Sequence, residues 1–214
     1  MKKTAFTALL LALILLLTAC SAPAPAAPAT SAEIAEACET NSYLYQDSTG
    51  LAFCFVTIKN NTSEPIFADG VASGMDAEGS IVSASAASVN VIGPGEESGC
   101  YFLFDYADDI EYVDHSFEYS TEVSCKPVLS TLEIEQSVSG SDVTVTVKNK
   151  GKYPAQQLEC YVLFLDADGN VTEFASDYMT PSTELLRGKT AEKTFSAAGD
   201  FADVKVFFVG GFYC

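Results

Sequence analysis

Apolar and polar residues alternate with a period of two in Leu51–Lys59, Thr131–Glu135 and Val143–Lys148, the pattern of strands with one buried face. Turn-forming clusters punctuate these runs at Asn60–Pro65, Ala77–Ser80, Gly93–Glu96, Gly140–Asp142, Asp166–Asn170 and Ala198–Asp200. A helical pattern is confined to the N-terminal segment and to a short stretch, Ser31 to Cys38, which Ser31 is placed to cap. Short strands at this spacing predict an all-β chain built as sandwiches.

The pattern occurs twice. Val56–Asn60 (VTIKN) matches Val145–Asn149 (VTVKN), and the turn Asp76–Gly79 (DAEG) matches Asp166–Gly169 (DADG). Pro65 matches Pro154, and Gly95, seven residues before Phe102, matches Gly188, seven before Phe195. The offset grows from 89 to 93 residues, and the increments fall in loops, where insertions are tolerated best. Several matches in the same order predict two related β domains, 39–126 and 127–214.

Ahead of them, Lys2 and Lys3 precede an apolar run from Ala8 to Leu17, and Leu17-Thr-Ala-Cys20 follows. A basic start, a short apolar core and a small-residue exit form an export signal over 1–19. Leu-Thr-Ala-Cys resembles the lipobox of bacterial lipoproteins. The resemblance implies that Cys20 receives a diacylglycerol thioether, becomes the mature N-terminus and carries the acyl chains that hold the protein on the outer face of a cell membrane. Residues 20–38 then read as the lipidated cysteine and a tether, because Ser21–Ala32 (SAPAPAAPATSA) is rich in Pro and Ala, uncharged and semi-rigid.

The second copy resembles the FxLYD-type domain of bacterial lipoproteins. The likeness is carried by Val145–Gly151, by Tyr161–Asp166 with Gly169, and by Leu186-Arg-Gly188 ahead of Phe195, across most of 128–210. Leu165 adds one residue between Phe164 and Asp166, and the first copy has Val71–Asp76 where the naming motif would stand. The resemblance implies an immunoglobulin-like architecture and brings neither catalytic residues nor a ligand. The expected fold is thus two tandem immunoglobulin-like β-sandwich domains after a signal helix and a Pro/Ala-rich tether.

With Cys20 assigned to lipid, six cysteines remain, and exported chains permit disulfides. An immunoglobulin-like strand order suggests three pairs: Cys160 with Cys214, Cys54 with Cys100, and Cys38 with Cys125. Buried free thiols and a metal cluster are the alternatives. The chain has no Cys-x-x-Cys and a single His, a poor set for zinc, and no metal or cofactor is expected.

Charge narrows the function. Lys and Arg number 11 against 29 Asp and Glu, which argues against nucleic acid as a partner and against peripheral docking on anionic lipid. Residues 39–125 hold fifteen acids and one base, Lys59, whereas 126–214 hold twelve acids and eight bases. The densest acidic cluster, Asp105, Asp108, Asp109, Glu111, Asp114 and Glu118, offers a cation or partner patch or a solvated face. His115 reads as an exposed strand histidine, and no Gly-x-Ser-x-Gly elbow accompanies it to make a triad. Asp166–Asn170 lacks EF-hand spacing and reads as a hairpin turn. The tyrosines and phenylalanines left over from the cores suit an interdomain contact, the preferred reading, or a ligand platform. The sequence therefore suggests a membrane-anchored, extracytoplasmic, non-catalytic binding or scaffolding module with an envelope protein or polysaccharide as partner. The alternatives are a solute-binding subunit of an importer and, more weakly, an envelope hydrolase.

Overall fold

The computed structural model describes residues 29–105 and 107–214. The signal segment, Cys20 and the first part of the tether lie outside them. Helix α1 (Ser31–Ala37) begins at a capping box in which Thr30 and Glu33 bond each other reciprocally. Its Ile34, 1% exposed, enters the first core, and the Tyr119 amide donates to Ser31 Oγ at 2.9 Å.

Strands β1 (Cys38–Gln46), β2 (Leu51–Asn60), β3 (Ile66–Met75), β4 (Ile81–Ile92), β5 (Glu97–Asp105) and β6 (Tyr112–Ser120) form the first sandwich. One sheet is ordered β1-β2-β5 and the other β4-β3-β6, antiparallel throughout. The second sandwich repeats this connectivity with β8 (Leu132–Ser139), β9 (Asp142–Asn149), β11 (Glu159–Leu165), β12 (Val171–Tyr178), β14 (Thr190–Ser196) and β15 (Asp203–Val209). Its sheets are β8-β9-β14 and β12-β11-β15. Short strands β7 (Lys126–Pro127), β10 (Ala155–Gln156), β13 (Glu184–Leu185) and β16 (Phe212–Tyr213) make a small four-stranded sheet, β13-β10-β16-β7, at the junction.

Each sandwich has its own core. Val56, Ile58, Ile66, Phe102 and Phe104 fill the first, and Val145, Val147, Val162, Phe164 and Phe208 the second. A third apolar cluster joins them, with Phe55 against Tyr161, Phe174 and Phe207. The β1-β2-β5 sheet therefore packs on the β12-β11-β15 sheet, and the molecule is four sheets deep. Strands β2 and β11 are covered on both faces, which corrects the single buried face expected for Leu51–Lys59 and accounts for the many apolar residues in both strands.

Polar contacts fix this contact. Ser98 Oγ donates to the Phe208 carbonyl at 2.9 Å, and Lys205 Nζ lies 3.1 Å from Glu97 Oε1. Glu96, 4% exposed, accepts from the Gly93 amide at 2.8 Å and the Ser130 amide at 2.7 Å, bridging the two sandwiches. A Cβ on Gly99 would stand 2.6 Å from the Val56 carbonyl and 3.1 Å from the Phe207 ring, so glycine is required for this approach.

The cysteines differ from the expected pairing. One disulfide forms, between Cys125 and Cys214, with Cα atoms 4.4 Å apart; Cys38, Cys54, Cys100 and Cys160 are free thiols. Register explains each correction. β16 pairs with β7 so that Phe212 faces Pro127 and Tyr213 faces Lys126, and one further step brings Cys214 opposite Cys125. Gly210 and Gly211, both at positive φ, turn the chain out of β15 before it gets there, leaving Cys160 opposite Phe208. Cys54 faces Phe102 while Cys100 faces Val56, a diagonal whose members typically stand about 7–8 Å apart with Cβ atoms somewhat closer, where a disulfide needs Cβ atoms about 3.8 Å apart. Cys38, at the start of β1 opposite Asn60, is left without its expected partner.

Candidate functional site

Because β1, β3 and β5 run in one direction, the connections that leave them, 47–50, 76–80 and the described part of the third, 107–111, gather at one end of the first sandwich. Each of the first two is organised by its leading aspartate. Asp47 Oδ1 accepts from the amides of Thr49 and Leu51, and Asp76 Oδ1 from those of Glu78 and Ser80. Asp166 repeats the arrangement in the second sandwich, taking the amides of Asp168 and Asn170 and the Asn170 side chain. Asp166 is thus occupied by its own turn. Its pKa is held below the ordinary carboxylate value, chiefly by the Asn170 side chain, and Asp47 is lowered likewise, chiefly by the Leu51 amide.

Within the first sandwich, Asp76 and Glu78 of one turn meet Asp108, Asp109 and Glu111 of another around an open cleft of about 330 Å³, with Val82 on its wall. Asp108 and Asp109 sit in a 3-10 turn, Ala107–Asp109, and Gln46 Nε2 donates to the Ile110 carbonyl at 2.8 Å to hold the loop that follows. Five carboxylates on one open wall create a negative field suited to a cationic group on a partner. Among the described residues, no three His, Cys, Asp or Glu side chains converge tightly enough to hold a metal ion.

The structure sorts the acidic residues singled out by the sequence. It brings Asp108, Asp109 and Glu111 into the cleft. Asp105 ends β5 opposite Leu51, and Asp114 lies on the outer face of the β4-β3-β6 sheet opposite Ser73, so both flank it. Asp76 and Glu78 are cleft residues that the local acid density did not reveal, because they come from a hairpin some thirty positions earlier. His115 is half-buried rather than exposed. It shares the inner face of β6 with Val113 and Phe117, as a period of two dictates, and its ring meets Phe117 edge-on at 5.9 Å.

The acidic end continues across the interdomain contact. Tyr45 packs on Phe174 at 5.6 Å, and its pKa is raised by burial and then by the charges of Asp47 and Glu173. The turns of both sandwiches therefore lie at a common end, and the linker, the disulfide and the chain terminus lie at the other.

No family model matches the chain, and no curated protein matches it in sequence. Among solved structures, red sea bream transglutaminase is similar over 81% of this chain and 29% of that one, with 11% identity and a TM-score of 0.27. A likeness that slight carries no argument about fold or activity, and the match spans less than a third of that structure's length.

Proposed function

We propose that the chain is a non-catalytic binding module, held on the outer face of a membrane by lipid on Cys20, which offers its acidic turn end to cationic groups of an envelope protein or polysaccharide. The observation that carries this reading is the cleft lined by Asp76, Glu78, Asp108, Asp109 and Glu111, five carboxylates from two turns with no base among them. Its position supports the anchored geometry. The chain enters through α1, beside Tyr119 near the end of β6, at the opposite end from the cleft. A lipid ten residues upstream of Thr30 would leave the acidic end pointing outward.

The aromatic residues support a rigid scaffold. Phe53, Phe55, Tyr161, Phe174 and Phe207 are committed to the contact between sandwiches, which fixes the acidic end relative to the rest of the molecule. The test is a pull-down from envelope fractions with the membrane-extracted protein and an Asp108→Asn, Asp109→Asn, Glu111→Gln variant. Recovery of a partner by the first and its loss with the second is expected. Equal recovery by both would move the binding surface elsewhere, and intact mass of the extracted protein tests the lipid on Cys20 separately.

A further inference from the structure

The second sandwich carries the opposite charge at its opposite end. Lys148 and Lys150 flank Asn149, Lys152 follows, and Arg187 and Lys189 lie on the neighbouring turn; all are exposed. Asn149 locks the two loops together. Its amide donates to the Lys189 carbonyl at 3.0 Å, its carbonyl accepts from Gly188 at 2.7 Å, and its side chain donates to the carbonyls of Tyr153 and Leu185 at 2.9 and 2.8 Å. Lys126 comes from β7, with Nζ 3.1 Å from the Tyr153 hydroxyl and 4.5 Å from the ring centre. Six of the nine bases among the described residues thus stand on one corner. Four acids lie close by: Glu133 pairs with Lys150 at 3.0 Å, Glu184 accepts from Gln156 at 2.9 Å, and Glu135 and Glu192 stand opposite Thr146, two residues from Lys148 along β9.

An apolar tip completes the corner. Leu186, 52% exposed, stands beside Arg187 at the apex of the turn, and Tyr153 stacks on Tyr213 at 4.9 Å beneath the lysines. Bases around an exposed leucine and an aromatic pair have the chemistry of a membrane–water interface. A soluble anion would be satisfied by the bases alone and gives no use to the leucine.

We propose that this corner, with Leu186 at its tip, is a contact surface for anionic phospholipid headgroups. The net charge of the whole chain does not oppose it. The acidic turns lie beyond the eight residues of β9, about 27 Å away, whereas exposed charges are screened over about 8 Å at physiological salt. The same end of the first sandwich carries Glu33, Glu36, Glu39 and Glu64, so an anionic surface attracts one corner and repels the other. The molecule leans onto its second sandwich. The orientation rests on the anchored reading above; the corner's affinity for anionic lipid does not.

The test places the full membrane-extracted chain on phosphatidylcholine vesicles and on vesicles containing about a third phosphatidylglycerol, an anionic content chosen to raise the surface potential. Amine labelling read by mass spectrometry reports each lysine. Labelling of Lys148, Lys150, Lys152 and Lys189 is expected to fall several-fold on the anionic vesicles relative to Lys193 and Lys205, and to recover at about 1 M salt, where screening shortens to about 3 Å. A Leu186→Ser variant, altered only at an exposed position, should retain part of the protection; an Arg187→Glu, Lys189→Glu variant should lose it at Lys148 and Lys150. Equal labelling on the two vesicles overturns the proposal. Failure to float with phosphatidylcholine alone counts against the lipid on Cys20 and leaves the corner readable by flotation on the anionic vesicles.

Discussion

The turns Gly93–Glu96 and Leu186–Lys189 are one backbone used for two purposes. In each, the third residue is a glycine at positive φ, 75° in Gly95 and 73° in Gly188, whose amide donates to the carbonyl of the buried asparagine, Asn60 or Asn149. In each, the fourth residue's amide returns to the first residue's carbonyl, and its carbonyl accepts from the asparagine amide. The side chains share nothing. Glu96 turns inward and ties the first sandwich to Ser130 of the second, whereas Lys189 points to solvent. A frame held by backbone bonds and one buried amide leaves its outward positions free to diverge, so one copy became an internal clamp and the other an exposed basic corner.

Exchanging those charges breaks the comparison most directly. Glu96→Lys removes the acceptor for two amides and buries a cation among them, a change expected to cost about 3–5 kcal/mol. Lys189→Glu, at the equivalent exposed position, should shift stability by no more than about 0.5 kcal/mol. Urea unfolding of the two variants beside the parent measures both. Similar losses would mean that Glu96 contributes nothing as a bridge.

The asparagines should behave alike where the fourth residues do not. Asn60 Nδ2 donates to the carbonyls of Glu64 and Ile92 at 2.8 and 2.9 Å, while its Oδ1 accepts from the Thr62 amide. Asn149 does the same with Tyr153, Leu185 and Gly151. Both are fully buried. Alanine at either site strands two carbonyls and an amide, and each variant is expected to lose about 3 kcal/mol in the same assay, from unpaired buried groups at about 1–3 kcal/mol apiece. Unequal losses beyond 1 kcal/mol or so would show that the two frames are not equivalent.

This recurrence was legible in the sequence: VTIKN and VTVKN end in the two asparagines, and the strand alternation, the Asp-x-x-Gly turns and the glycine before each Phe all reappear as equivalent elements. The order of the sheets was legible only in part. The alternation over Leu51–Lys59 implies a single buried face for β2, and nothing in that run or in β11 shows that a second sheet covers the other face or which sheet it is. The disulfide was not legible, because it depends on β7 and β16, strands two residues long whose pairing follows from the Gly210–Gly211 turn rather than from any periodicity. The acidic cleft was half legible for a related reason. Local density marks Asp108, Asp109 and Glu111, but Asp76 and Glu78 join them only through strand direction.

The free thiols separate the two cores by pH. Burial pushes Cys54 and Cys100 in the first core, and Cys160 in the second, from 9.0 up to about 12. A thiol whose folded pKa is raised contributes its full stability below the unfolded value. Above about pH 9 the unfolded chain releases protons that the folded chain keeps, so stability falls as pH rises toward 12. Melting temperatures from pH 8 to 11 should therefore decline. A Cys54→Ala, Cys100→Ala variant should flatten that decline more than Cys160→Ala does, because it removes two such groups rather than one. The slope is the readout, since alanine also lowers the starting stability by leaving small cavities. Identical slopes in all three proteins would place the alkaline sensitivity outside the thiols.

The smallest effect lies where the sandwiches meet. Thr57 is fully buried on β2, in the face that also carries Phe53 and Phe55, and its hydroxyl has no hydrogen-bond partner among the described residues. Its counterpart in the repeat, Thr146, is half-exposed and donates to Glu192 at 3.1 Å. The same residue type is thus satisfied where its sheet faces water and stranded where its sheet faces another. Valine has nearly the shape of threonine without the hydroxyl, so Thr57→Val should raise stability by about 1 kcal/mol through removal of an unpaired polar group. Thr146→Val exposes a methyl in place of a bonded hydroxyl and should leave stability unchanged or slightly lower. A gain at 57 without one at 146, read from paired thermal melts, would locate the interdomain contact as the difference between otherwise equivalent strands; a loss at 57 would mean that its hydroxyl finds a partner in solution.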